Sequence, residues 1–184
     1  MGNNEIITIA RNFLKERTDS LKEDCDHCLF KEHPAPFPAL LYCFATVDLL
    51  GALYAGDASD DAPTTEQSLN YMTGVMKYPE EIARLLQKIF RHKLVHLAQP
   101  LPITKYNGKK YLWWECHEIK RNVHLKIEST DKHEEYIFRI SIGAFVEDII
   151  DSVWGPDGYF NQLLKNTGNL QQNFEKAHKQ ITET

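Results

Sequence analysis

The sequence predicts a mainly α protein, a bundle of about four main helices with a small antiparallel β insertion before the last long helix. Three observations carry this. Apolar residues recur at helical spacing over four long stretches, prolines and glycines separate those stretches, and between Lys109 and about Ile140 the period shortens to that of strands. A chain of 184 residues in which 42% are hydrophobic and 26% charged is large enough to bury a core and reads as one domain, 1–184. Within it, 1–37 is a helix with a proline-rich connection, 38–160 is the main body and 161–184 is a helical tail.

The first helix is expected over Ile6–Leu21, where Ile6, Ile7, Ala10, Phe13, Leu14 and Leu21 fall on one side with charged residues between them. Residues 24–38, DCDHCLFKEHPAPFP, hold three alternating prolines and read as a connection. The second helix begins near Pro38 and is apolar nearly all round, ending at Gly56. Because PALLYCFATVDLLGALYAG carries Asp48 and lacks basic flanks, it is expected to be a buried core helix and not a membrane span.

The acidic loop from Gly56 to Ser68 leads to Thr64 or Thr65 as a cap and a short helical piece through Leu69, Met72 and Met76. Pro79 with Glu80 and Glu81 restarts a third long helix that runs to about Ala98, before the prolines at 100 and 102. Its core face is centred on Ile82, Leu85, Leu86, Ile89 and Phe90. YLWWE, VHLKI and YIFRI then read as short strands with turns at Asn107-Gly108 and around residues 129–133. Helical spacing returns over Gly143–Trp154, and a Gly-Pro-Asp-Gly break precedes the tail.

The charged residues within the third helix raise the functional question. Residues 90–97 read FRHKLVHL. A phosphodiester cut without metal needs a base for the 2'-hydroxyl proton, an acid for the leaving oxygen and a fixed cation for the charge on phosphorus. Histidine titrates near neutrality, and arginine forks onto phosphate oxygens. The duller explanation is that basic residues near a helix C-terminus simply complement its dipole. At roughly 100° per residue, Arg91 points away from Ile82 and His96 lies roughly 140° round from Arg91. The two meet only if the helix bends or ends between them, or if a second copy completes the site.

Arg91 to His96 resembles the R-polar-x-x-x-H signature of the HEPN superfamily, with His92 in the polar slot, a proline-started helix before it and a preceding apolar helix ending in glycine. The resemblance covers about residues 38–160. It implies a HEPN-like helical bundle, a homodimer whose two motifs face a shared cleft, and metal-independent endoribonuclease activity, as in the toxins of toxin-antitoxin or defence systems. On that resemblance His96 is the acid/base, Arg91 the phosphate clamp, and His92 an accessory that orients substrate. Lys93 is read as substrate-binding. Many such bundles are noncatalytic and bind a nucleotide, RNA or a protein partner such as an antitoxin, and this is the alternative. Asp48, a carboxylate on an apolar helix, must be paired or protonated: either it holds a basic residue of the motif in place or it sits at a partly exposed position between helices.

Cys25-Asp-His-Cys28 followed by His33 offers zinc-ligand types, with Cys43 or Cys116-His117 to complete four, but no second CxxC exists and the four cysteines read as reduced thiols. No metal and no cofactor is expected. Trp113 and Trp114, adjacent in a strand, point to opposite faces, so one belongs in the core while the other can stack on a base. The formal charge of −5 argues against a protein that coats nucleic acid, though not against a local basic site. No dinucleotide, P-loop, serine-hydrolase or zincin motif is present. The charged amphipathic start reads as neither signal peptide nor acylation site, so the cytoplasm is the expected location.

Overall fold

The computed structural model describes residues 2–92 and 103–183. The described chain is mainly helical with one four-stranded sheet. In chain order it forms α1 (Asn3–Leu29), α2 (Pro36–Ala55), α3 (Thr64–Gly74), α4 (Glu80–Leu86) and a π-helical turn over Gln87–Arg91. Next come β1 (Ile103–Tyr106), β2 (Lys109–Cys116), β3 (Ile127–Ser129) and β4 (Glu135–Ser141), then α5 (Ile142–Trp154), α6 (Tyr159–Leu164) and α7 (Leu170–Thr182). The sheet therefore precedes α5, as expected, but α7 is just as long as α5 and comes after it.

The chain divides into two units. One contains residues 1–21, 45–78 and 148–184 and is helical. The other contains 22–44 and 79–147 and carries the sheet. Helices α1, α2 and α5 each contribute residues to both.

Helix α1 continues two turns beyond the expected end and takes in residues 24–29, which the prolines had suggested were a connection. The reason is the buried stripe Ile6, Ala10, Leu14, Thr18, Leu21, Cys25 and Leu29. Cys25 behaves as a small hydrophobe and keeps the i, i+4 spacing, so the helix runs to Leu29, after which the chain bends and the Ala35 amide returns to the Cys28 carbonyl at 2.7 Å. Helix α2 is long and apolar enough to cross a bilayer by length and composition, and more than half of its most apolar window is buried within the protein. It ends at Gly56, whose φ of +80° only glycine adopts freely, with the amides of Gly56 and Asp57 both donating to the Ala52 carbonyl. Helix α3 starts at Thr64 behind Pro63 with no side-chain cap, so neither threonine plays the expected role.

In the helical unit α2 meets α3 at Gly51, where a Cβ would lie 2.8 Å from the Gln67 carbonyl carbon. Three tyrosines, Tyr54, Tyr71 and Tyr159, pack edge to face at 6.0–6.2 Å. The buried hydroxyls of Tyr71 and Tyr159 are satisfied: Tyr71 meets the Ser152 hydroxyl at 2.9 Å and Tyr159 donates to the Leu53 carbonyl at 3.1 Å. The Trp154 indole donates to Thr18 Oγ1 at 3.0 Å.

The other unit is built around Phe90. Its ring lies 6.5 Å from that of Phe44, 5.9 Å from Trp113 and 6.3 Å from Phe138, and Phe44 in turn contacts Phe145 at 5.3 Å. The sheet order is β1-β2-β4-β3. An all-antiparallel insertion was expected, but β2 and β4 run parallel, from Lys110 beside Glu135 to Cys116 beside Ser141. The connection from His117 to Glu134 is long enough for such a crossover and returns through β3, which pairs antiparallel with the far edge of β4. VHLKI is mostly turn and not strand: the amides of Val123 and His124 both bond the Lys120 carbonyl, Leu125 has φ +57°, and only Ile127–Ser129 pairs. The turn expected at Asn107-Gly108 forms, with φ +48° and +79°.

Two substitutions test this packing. Gly51→Ala gains up to about 1 kcal/mol of helix propensity but forces α2 from α3, so a net loss of about 1–3 kcal/mol is expected in urea unfolding. Phe90→Ala empties the centre of the aromatic cluster and is expected to cost about 3–5 kcal/mol.

Candidate functional site

The five expected core positions of the third helix, Ile82, Leu85, Leu86, Ile89 and Phe90, are all buried. After Leu86 the α-helical ladder gives way to the π turn, closed by the His92 amide on the Gln87 carbonyl. One extra residue is accommodated there, so the residues at its end lag an ideal α-helix by up to roughly 100°. Arg91, expected to face away from the core, is half-buried for this reason, while His92 beside it is exposed. Lys93 and His96 lie outside the described residues.

The π turn also buries Gln87, and β1 packs against it. Among the described residues the Gln87 Nε2 and the Thr104 Oγ1 of β1, both buried, have no hydrogen-bond partner. Lys88 Nζ sits 5.0 Å from the centre of the Tyr106 ring. One turn earlier, Glu80 is paired with Arg84 at 2.8 Å and Glu81 accepts a hydrogen bond from the buried Tyr111 hydroxyl at 2.9 Å. Burial, with the Glu81 carboxylate beside it, raises the Tyr111 phenol and keeps it a donor. The acids of α4 are thus engaged, and the helix presents Lys88, Arg91 and His92 beyond them.

Asp48 belongs to the helical unit, where the Ser68 hydroxyl donates to its Oδ1. Ser68 gives the carboxylate a hydrogen-bond donor, as a polar group on an apolar helix requires. Arg91 and His92 belong to the sheet-bearing unit.

The cysteines are all free thiols. Burial pushes Cys43 well up, with Cys25 beside it, and raises Cys28 and Cys116 as well, so these three stay protonated at neutral pH and are poor ligands. No three His, Cys, Asp or Glu side chains converge on one point among the described residues.

Two arrangements were not foreseen from the sequence. A cavity of about 420 Å³ in the helical unit is lined by Asp148, Asp151 and Asp157, with the Tyr78 hydroxyl donating to Asp148 Oδ2 at 2.5 Å. Three carboxylates make it hostile to phosphate. Near the end of the sheet, His124 Nδ1 accepts the Ser141 amide at 3.2 Å, which leaves Nε2 carrying the ring proton. The buried Ser141 hydroxyl accepts the amides of Lys120 and Ala144 at 3.0 and 3.2 Å and donates to the Glu118 carbonyl at 2.6 Å, capping α5.

Burial, and then the Arg121 guanidinium, lower His124 from the usual 6.5 to about 4. Between these values the unfolded chain binds the proton and the folded ring does not. The stability associated with the neutral ring is therefore complete above about pH 6.5 and declines as the pH falls toward 4. Relative to His124→Gln, the wild-type protein is expected to lose about 2–3 kcal/mol more between about pH 7 and about pH 4.5, read from urea midpoints.

The chain matches no family model, no curated protein and no solved structure significantly.

Proposed function

We propose that this protein is a homodimeric, metal-independent endoribonuclease of HEPN type. The observation that carries the reading is the placement of Arg91. The π turn, anchored through Phe90, leaves Arg91 half-buried, directly before the exposed His92. A half-buried arginine has fewer conformations to lose on taking up phosphate than a fully exposed one, which suits a fixed phosphate clamp.

In the proposed reaction His96 takes the proton of the RNA 2'-hydroxyl, whose oxygen attacks the adjacent phosphorus. The bond from phosphorus to the 5'-oxygen breaks, and that oxygen receives a proton from the second copy's motif. The products are a 2',3'-cyclic phosphate and a 5'-hydroxyl. Arg91 holds the nonbridging oxygens, His92 orients the substrate and Lys93 binds the strand. Two histidines in a shared cleft divide base and acid between them, which a single copy of the motif does less readily.

Purified protein incubated with a mixed RNA pool in EDTA is expected to yield fragments ending in 2',3'-cyclic phosphate. His96→Ala should lose about a hundredfold or more in rate while retaining the wild-type melting temperature, and light scattering should report a dimer. Loss of cleavage on chelation would overturn the mechanism. No cleavage by the wild-type protein, with RNA still bound, would leave the noncatalytic module in its place.

A further inference from the structure

Charge is segregated along this chain. It holds 21 Lys and Arg against 26 Asp and Glu, yet ten of those cations and only two of those acids lie between Arg84 and Lys126. The fold gathers several of the ten onto the β1–β2 hairpin and the turn that packs against it. The hairpin reverses at Asn107-Gly108 and its register sets Lys105 opposite Lys110 and Tyr106 opposite Lys109. Like charges directly opposed cost stability, so this pairing is not explained by the hairpin's own needs. Glu135, the acid beside Lys110 in the sheet, lies 3.5 Å from the Lys132 ammonium.

The hairpin carries rings as well as charges. On the face that holds Lys105 and Lys110, Trp114 is 37% exposed and Ile103 is 52% exposed, with the Arg139 guanidinium 4.8 Å from the Trp114 ring centre. On the opposite face Lys109 Nζ stands 5.1 Å from the Tyr136 ring and Lys88 Nζ 5.0 Å from Tyr106. From Lys110 to Trp114 along β2 is about 13 Å. Two ammonium groups on the face of an exposed indole, with two more round the hairpin edge, complement a polymer that alternates phosphates with flat apolar faces. A duplex hides its base faces and would leave the indole unused, whereas a single strand offers both.

We propose that the β1–β2 hairpin is a single-strand RNA-binding arm, in which Lys105 and Lys110 hold phosphates on the face where Trp114 stacks on a base, and Lys109 and Lys88 hold those of the strand as it passes round the hairpin end to the other face. The inference rests on the ribonuclease reading for one point only, that the strand is RNA.

The test uses the full-length protein and a fluorescein-labelled 2'-O-methyl oligonucleotide of about 12 residues, which lacks the attacking hydroxyl and so reports binding without cleavage. Anisotropy titrations at several salt concentrations compare wild type with four variants. Lys105→Gln/Lys109→Gln/Lys110→Gln should weaken binding at least about tenfold and flatten the salt slope by about two. Trp114→Ala should weaken it about tenfold without changing that slope, and Trp114→Phe should restore most of the loss. Lys105→Gln alone, on an exposed edge strand, supplies a well-folded variant with a slope reduced by about 0.7. Unchanged affinity and slope in these variants, or equal affinity for a duplex of the same length, would overturn the arm. Cleavage of unmodified RNA is scored separately. Arm-dependent binding without any cleavage removes the ribonuclease reading and leaves the arm, while cleavage with arm-independent binding does the reverse.

Discussion

The arrangement around Arg91 depends on the burial of Phe90. Its ring meets Phe44 of α2, Trp113 of β2 and Phe138 of β4, so one side chain joins a helix and two parallel strands within the sheet-bearing unit. A core ring in contact with three others cannot rotate away without opening a void the size of a side chain. The backbone carrying it must adapt instead. Ile89 and Phe90 both point inward, Gln87 is drawn in with them, and the helix absorbs the mismatch as a π turn. Such turns persist only where tertiary packing outweighs the better geometry of the α ladder. Arg91 inherits its half-buried position from that compromise.

Each unit pairs most of its buried polar atoms and leaves a few without a partner among the described residues. In the helical unit the close approach at Gly51 comes with paired groups, Asp48 met by Ser68 and the hydroxyls of Tyr71 and Tyr159 by Ser152 and a backbone carbonyl, while Gln67 Oε1 is buried without a partner among the described residues. At the π turn, Gln87 Nε2 and Thr104 Oγ1 are buried without partners among the described residues. An orphaned buried group costs about 1–3 kcal/mol, and proteins tolerate that cost chiefly at sites under a second demand. In sequence the two orphans flank the segment that carries the arginine and histidines.

Much of the fold was legible because it rests on local patterns. The core face of the third helix, the glycine stop at 56, the turn at Asn107-Gly108 and the opposed directions of Trp113 and Trp114 all derive from spacing or from the backbone needs of single residues. The misreadings have a common cause, since each feature is decided by a contact distant in sequence. Helix α1 overran into DCDHCL because Cys25 found a buried place. The parallel pairing of β2 with β4 is chosen by β4 lying between β2 and β3. The π turn answers to Phe44, Trp113 and Phe138, and no pattern within residues 80–92 announces it. At the site, the identity of Arg91 and His92 was readable and their exposure was not, because exposure is set by the π turn.

The proposed action on RNA looks at odds with an acidic chain until the range of each force is compared. At physiological salt the Debye length is about 8 Å, so the many carboxylates elsewhere in the chain scarcely reach a strand held at the hairpin. Within that range the strand meets Lys105, Lys109 and Lys110 of the hairpin, while the neighbouring Glu135 and Glu128 are held by Lys132 and Arg139. Meanwhile the carboxylate-lined cavity of the helical unit disfavours phosphate entering there. On the proposed reading, net charge would limit indiscriminate binding and the basic hairpin would set where a polyanion is admitted. Such a division would suit the proposed ribonuclease, since a chain basic throughout would hold RNA over its whole surface and bring it to Arg91 no more often than elsewhere.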